Sequence, residues 1–458
     1  MKYKGIIYIL ILTVLVSCEP NLKEDFNYSS GKADLSSYVA IGNSLTAGFA
    51  DAALYTSGQE NSFPAILAGQ FKLVGGGDFK QPLINTEEGV GISSNGGIVT
   101  LTTKYKLGLV EDKDCSGQGT GEYSLKPVFV DPDPDPGTLF QQLYAPPLTP
   151  GPYNNVGVPG AMIQHLLFNQ YGNKNSPFSN PYFVRFASHD TTTVIADAML
   201  ANPTFFSLWI GSNDILGSAL VGSDNGVTPT EIFAEAYELI LDNIFAVNSD
   251  LQGILINIPE IHSIPFFTTI SASLPWNGLV LDEEQALMLT QIYEQHGHPE
   301  ISFQAGPNAF VVFDAGGNNY SRTEEGDLFL LTLPTDKIKC EGLGSASTST
   351  LSPNPIPDMF ILDKDEQASI NASIQAYNNT INTLAAQYDL PVLDAFSIMQ
   401  DFESGMAFDG ISFSTRFIEG GLFSLDAIHL NARGNALLAN YMIEAINAHY
   451  EANGYELL

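Results

Sequence analysis

The sequence predicts an α/β fold, a parallel sheet covered on both faces by helices. Three observations predict it. Short, almost wholly apolar runs recur at 38–41, 204–210, 253–258 and 391–393, the pattern of strands buried on both sides. Segments with helical periodicity follow these runs, so strands and helices alternate along the chain. The 458 residues, 44% of them apolar, suffice to bury a large core.

Taken in order, Lys2 and Lys4 precede an apolar run at 6–16 that is too short to span a bilayer and has the layout of a secretory signal. Residues 18–36 are polar and read as a tether. The first strand breaks at Gly42 and delivers Ser44 into the small-residue turn Asn43-Ser44-Leu45-Thr46-Ala47-Gly48. A serine nucleophile needs this placement, at a strand end with backbone N–H groups beside it, although Gly-Asn-Ser is also ordinary turn chemistry. A helix is expected at 63–68. From 72 to 152 Gly and Pro are frequent, and β-type runs such as 97–101 and 126–130 alternate with turns, so this stretch reads as an insertion. The Asp-Pro repeat at 131–136 favours an extended, solvated segment over a calcium loop.

Regular texture returns at 155–160, followed by an amphipathic segment at 161–171. The strand at 204–210 ends in Gly211-Ser212-Asn213-Asp214. In the helix at 230–245, Ile232, Phe233, Ala236, Leu239, Ile240 and Ile244 are expected on one face. Pro259 closes the strand at 253–258. Residues 260–360 form a second irregular block, with a helix at 282–296 and strands near 309–313 and 328–333. A long helix at 363–388, a short strand at 391–394 and a final helix at 431–451 complete the pattern. The expected division is a signal at 1–17, a tether at 18–36 and one domain at 37–458, interrupted at about 72–152 and 260–360. Apolar clusters in the interruptions, at 139–144, 264–267 and 274–276, either line a groove or pack the insertions onto the scaffold.

Eighteen Lys and Arg stand against 51 Asp and Glu, a net charge of -33. Phosphate binding needs clustered cations, so this balance argues against nucleic acid and equally against docking on anionic lipid. His296-Gly297-His298 lacks a nearby third ligand, so no metal is expected. The sequence also implies no cofactor. Of three cysteines, Cys115 and Cys340 lie beyond the signal region, and whether they pair is left open.

In a doubly wound sheet, the segments just after the strand ends converge on one edge, where ligands bind. Four of them carry useful groups: the Ser44 hydroxyl, the unobstructed Gly160 N–H, the Asn213 amide and the pair Asp426/His429. Gly42-Asn43-Ser44-Leu45, residues 155–160, Gly211-Ser212-Asn213-Asp214 and Asp426-Ala427-Ile428-His429 resemble, in order, the four blocks of the SGNH/GDSL esterase and lipase superfamily. The resemblance covers the scaffold and neither insertion. It implies a three-layer α/β/α sheet in flavodoxin-like order. The implied roles are Ser44 as nucleophile, His429 as general base and then acid, and Asp426 orienting the imidazole. An oxyanion hole of the Ser44 and Gly160 N–H groups and the Asn213 side chain completes the set. Asn43 replaces the family's usual aspartate, and Gly157 competes with Gly160 for the donor role.

Leu15-Val16-Ser17-Cys18 resembles a bacterial lipobox, which implies cleavage before Cys18 and lipidation of that residue. Lys23-Glu24-Asp25 resembles the export tags on surface lipoproteins of Bacteroidetes-type bacteria. Together these imply an exported lipoprotein, anchored to the outer membrane of a Gram-negative bacterium and facing either the periplasm or the cell surface. The function implied is lipase or esterase activity on an ester of a lipid, small molecule or glycan. The rival readings are a polysaccharide O-deacetylase and a non-catalytic binding lipoprotein.

Overall fold

The computed structural model describes residues 28–95, 98–313, 319–347 and 349–452. The signal region and Cys18 lie outside the described residues. Five parallel strands make the central sheet: β1 (Tyr38–Gly42), β2 (Asn155–Gly157), β3 (Phe205–Trp209), β4 (Gln252–Ile256) and β5 (Val392–Leu393). Their spatial order is β5-β4-β3-β1-β2, the doubly wound order of flavodoxin-like sheets. Every residue of β1 and β3 is buried, which is why these strands read as unbroken apolar runs.

Helices packed on the sheet or at the C-terminal ends of its strands include α1 (Phe63–Phe71), α2 (Thr230–Val247), α3 (Lys364–Gln387), α4 (Ala395–Ser404) and α5 (Ala432–Tyr450). α1 and α5 pack together, as do α2 and α3. Successive strand residues point to opposite faces. Phe205 accordingly meets Phe71 of α1 and Tyr450 of α5 edge-on, while Phe206 meets Phe245 of α2. The layers are thus α/β/α. Asp363 and Glu366 start α3 with a reciprocal capping box.

Two local expectations are corrected. The buried face of α2 is Phe233, Ala236, Tyr237, Ile240, Leu241 and Ile244, while Ile232 and Leu239 are exposed. Phe233 stacks on Tyr377 of α3 with ring centroids 3.9 Å apart, and this contact sets the helix rotation. The amphipathic segment at 161–171 forms a single 3-10 turn, Ile163–Leu167. Its backbone is diverted: Asn213 Nδ2 donates to the Ala161 carbonyl, and Ile163 N–H donates to Asp214.

The first insertion carries a long hairpin, Tyr105–Lys113 against Gly119–Phe129, which extends well beyond the strand expected at 126–130. Beyond Lys113, in the hairpin's turn, Cys115 forms a disulfide with Cys340, 225 residues later in the helix Thr335–Glu341. The two insertions are therefore covalently joined. In the chain-entropy model, closing so long a loop stabilises by about 5 kcal/mol, less any enthalpic offset. Replacing both cysteines by serine should lower unfolding free energy in urea, by no more than that amount. An unchanged urea midpoint and slope would contradict the stabilising role.

Candidate active site

Ser44 opens a one-turn helix, Ser44–Ala47, immediately after β1. Close packing forces glycine on both sides of it. A Cβ on Gly42 would fall 2.3 Å from Thr46 Oγ1, and one on Gly157 would fall 2.4 Å from the Ala47 nitrogen. Asn43 Oδ1 accepts from the Leu45 N–H at 3.0 Å, so Asn43 acts as a neutral N-cap. Asn155 Nδ2 donates to the Thr46 carbonyl at 2.8 Å and locks the turn to β2. The Gly157 N–H donates to Asn155 Oδ1 at 2.9 Å. That N–H is already spent, which leaves Gly160 as the better donor candidate.

His429 Nε2 lies 2.8 Å from Ser44 Oγ, and its Nδ1 lies 2.9 Å from Asp426 Oδ2. With Nδ1–H donating to the carboxylate, Nε2 is free to accept from the serine hydroxyl. Asp426 Oδ1 also accepts from the Ile428 and His429 N–H groups, at 2.9 and 2.8 Å. Ala427, at φ 64°, supplies the left-handed turn between Asp426 and these two N–H groups. Burial raises the Asp426 carboxyl pKa, but His429 and the N–H donors outweigh it and hold the group at about 2. The Phe49 ring packs against the His429 ring, 5.0 Å between centroids.

Sequence reasoning missed the support behind this acid. The Ala52 N–H donates to Asp426 Oδ2 at 2.9 Å. Asp51 accepts from the Leu425 N–H at 2.9 Å and from the Tyr55 hydroxyl at 2.8 Å, and its own N–H donates to Ser424 Oγ. Asp51 and Ala52 are consecutive non-glycine residues at φ 52° and 65°, a sparsely populated conformation that surrounding bonds must hold. No composition or spacing signal marks them, since the contribution of Ala52 is a backbone group.

Asn213 begins the helix Asn213–Ala219, and its Nδ2 donates to the Ala161 carbonyl at 2.9 Å. Asp214 Oδ2 accepts from the Ile163 N–H at 2.9 Å, and Oδ1 from the Thr228 hydroxyl at 2.8 Å. Burial pushes the Asp214 carboxyl up to about 6. The turns bearing Gly160 and Asn213 are therefore cross-braced. Gly160 adopts φ +77°, with only Asn180 Nδ2 near its vacant Cβ position, at 4.0 Å. Its requirement is conformational, not spatial.

Ser44, His429 and Asp426 thus form one hydrogen-bonded chain, and Ser44, His429 and Asn213 line a single cleft. Gly160 adjoins Asn213 through Ala161 but is not in the cleft wall. The rest of that wall is mainly apolar, including Trp209, Leu216, Ile261, Ile398, Met399 and Phe402. Of the insertion clusters, Ile264 reaches the cleft, whereas Leu139, Leu143, Phe266 and Phe267 are buried in the core and Phe140 is exposed. Among the described residues, no group of three or more His, Cys, Asp or Glu could hold a metal ion.

No protein-family model and no curated protein matches the chain. Among solved structures it is similar to the lipase/acylhydrolase from Enterococcus faecalis, at 11% identity and a TM-score of 0.25, over 66% of this chain and 77% of that one.

The depressed Asp426 value fixes the sign of a pH effect. Its contribution to stability is fully present above the ordinary carboxyl value of 3.8 and is lost as pH falls through about 2. Asp426→Asn should flatten the dependence of unfolding free energy on pH across that window. An acid-unfolding profile parallel to wild type would contradict it.

Proposed function

We propose that the chain is a serine carboxylic-ester hydrolase of the lipase/esterase kind. The observation that carries the reading is the Ser44–His429–Asp426 hydrogen-bonded chain opening on an apolar cleft. Ser44 Oγ attacks the ester carbonyl carbon, and its proton passes to His429 Nε2 as the new C–O bond forms. The negative charge on the carbonyl oxygen is met by the Ser44 and Gly160 N–H groups and by the Asn213 N–H not used by Ala161. Collapse breaks the bond to the leaving alcohol, which takes the proton from Nε2. Water then repeats the sequence, releasing the carboxylic acid and restoring Ser44. Asp426 stabilises the imidazolium at each stage without itself taking the proton.

The apolar wall suits an acyl chain, each buried methylene adding up to ~0.8 kcal/mol of binding. The disulfide supports export, since such bonds persist in oxidising compartments. Lipidation of Cys18 would make the mature protein a membrane-anchored lipoprotein. Mass spectrometry of the mature N-terminus tests this, and an unmodified Cys18 would overturn it.

Ser44→Ala should keep its fold and lose at least ~10³-fold in kcat toward p-nitrophenyl hexanoate. Unchanged turnover would remove Ser44 from the reading, and no turnover by wild type on any ester would favour a binding protein. Hexanoyl and octanoyl esters should exceed acetyl esters in kcat/KM, with the gain in KM first. A profile that falls steadily from acetate would instead favour the O-deacetylase.

A further inference from the structure

α4 separates two recesses. Its residues Ile398, Met399 and Phe402 line the apolar cleft that holds Ser44. Phe396 and Ser397 in its first turn border a second groove, with about 680 Å³ of empty space open to solvent, between α4 and α3. Both recesses adjoin the C-terminal ends of the strands, since Asn257 follows β4 and Asp394 follows β5.

The chemistry of the second groove is unlike that of the first. Gln375, Asn379 and Asn382 line it from α3 at spacings of four and three residues, so the three carboxamides share one helix face. All three are exposed, and among the described residues their side chains have no protein hydrogen-bond partner. Their neighbour Asn378 has a structural task, bonding both the N–H and the carbonyl of Ile258. Asn379 and Asn382 have none, yet asparagine is a poor helix former, and Ala, Glu or Lys would favour the helix there. On the facing wall, Asp394 already accepts from Asn257 Nδ2 at 2.8 Å and from the Ser397 hydroxyl at 2.6 Å. Half-buried Phe396 adds an apolar surface.

No Lys or Arg lines the groove to draw in an anion, and its carboxylate is bonded within the wall. The polar rows leave no track for an acyl chain. Each carboxamide instead offers a donor and an acceptor side by side, the complement of neighbouring hydroxyls, and an aromatic face suits the apolar side of a sugar ring. We propose that this groove binds a neutral glycan and holds the sugar part of an acylated glycan beside the cleft that takes its ester. The coupling to hydrolysis rests on the ester-hydrolase reading. Glycan binding stands apart from it.

Isothermal titration of folded Ser44→Ala protein with xylohexaose, mannohexaose and cellohexaose tests the site, with trigalacturonate as the anionic control. At least one neutral oligosaccharide should bind at millimolar concentration or below, and trigalacturonate should not. Adding Gln375→Ala, Asn379→Ala and Asn382→Ala should weaken that binding at least tenfold, the loss of several modest hydrogen bonds. Alanine favours the exposed helix, so this variant should unfold no earlier than wild type. In the Ser44 background, turnover of p-nitrophenyl hexanoate should be unaffected by the three substitutions. No neutral binding, equal binding by the variant, or a preference for trigalacturonate would each overturn the proposal. Ester turnover without glycan binding rejects the groove alone, whereas glycan binding without ester turnover rejects the hydrolase and retains the groove.

Discussion

The buried carboxylate of Asp426 is the interaction on which the candidate site depends. An isolated ion so placed would cost several kcal/mol in lost hydration. Four donors compensate it: the Ala52, Ile428 and His429 N–H groups and the His429 ring. Each comes from a segment with little regular structure of its own. The loop at 424–430 closes on itself through the Ser424 N–H and the His429 carbonyl, and the second insertion ties in where the Phe266 N–H meets the Ala427 carbonyl. The first turn after Ser44 is held to the same loop by Asp51. Distant parts of the chain thus acquire one geometry by sharing one anion.

The legibility of the sequence has the same origin. Strands β1 and β3 are buried on both faces and announce themselves as apolar runs, and capping residues such as Asp363 and Asn431 marked helix starts to within a residue. Ser44, Asn213, Asp426 and His429 were legible because their side chains carry the polar groups. Ala52 was not, because any residue except proline supplies an N–H. The rotation of α2 was misread because it is decided by the Phe233–Tyr377 contact across 144 residues of chain, not by local periodicity. Tertiary bonds to Asn213 and Asp214 likewise override the helical pattern after Gly160. The apolar clusters of the insertions could not be assigned in advance, since packing onto a scaffold and lining a groove ask for the same residues.

α4 shows how a short amphipathic element can serve two environments at one edge of the sheet. Asp394 caps its first turn and bonds Asn257 at the end of β4, so the start of the helix is fixed to the sheet. Met399 and Phe402 are buried toward the cleft, while Ser397 stays exposed on the side of the carboxamides. An apolar and a polar recess are therefore held at a constant offset by one rigid wall.

The Cys115–Cys340 bond also imposes an order in time. A chain synthesised from its N-terminus exposes Cys115 first, and its partner appears 225 residues later, on the order of tens of seconds at ordinary elongation rates. During that interval the hairpin exists without its clamp, and β4 and α2 are made before the bond can close. For this bond to form, the Cys115 thiol must therefore stay unpaired until the second insertion has been made. The third cysteine, Cys18, precedes both. Of the three pairings that three cysteines allow, the fold closes the one that joins its two insertions.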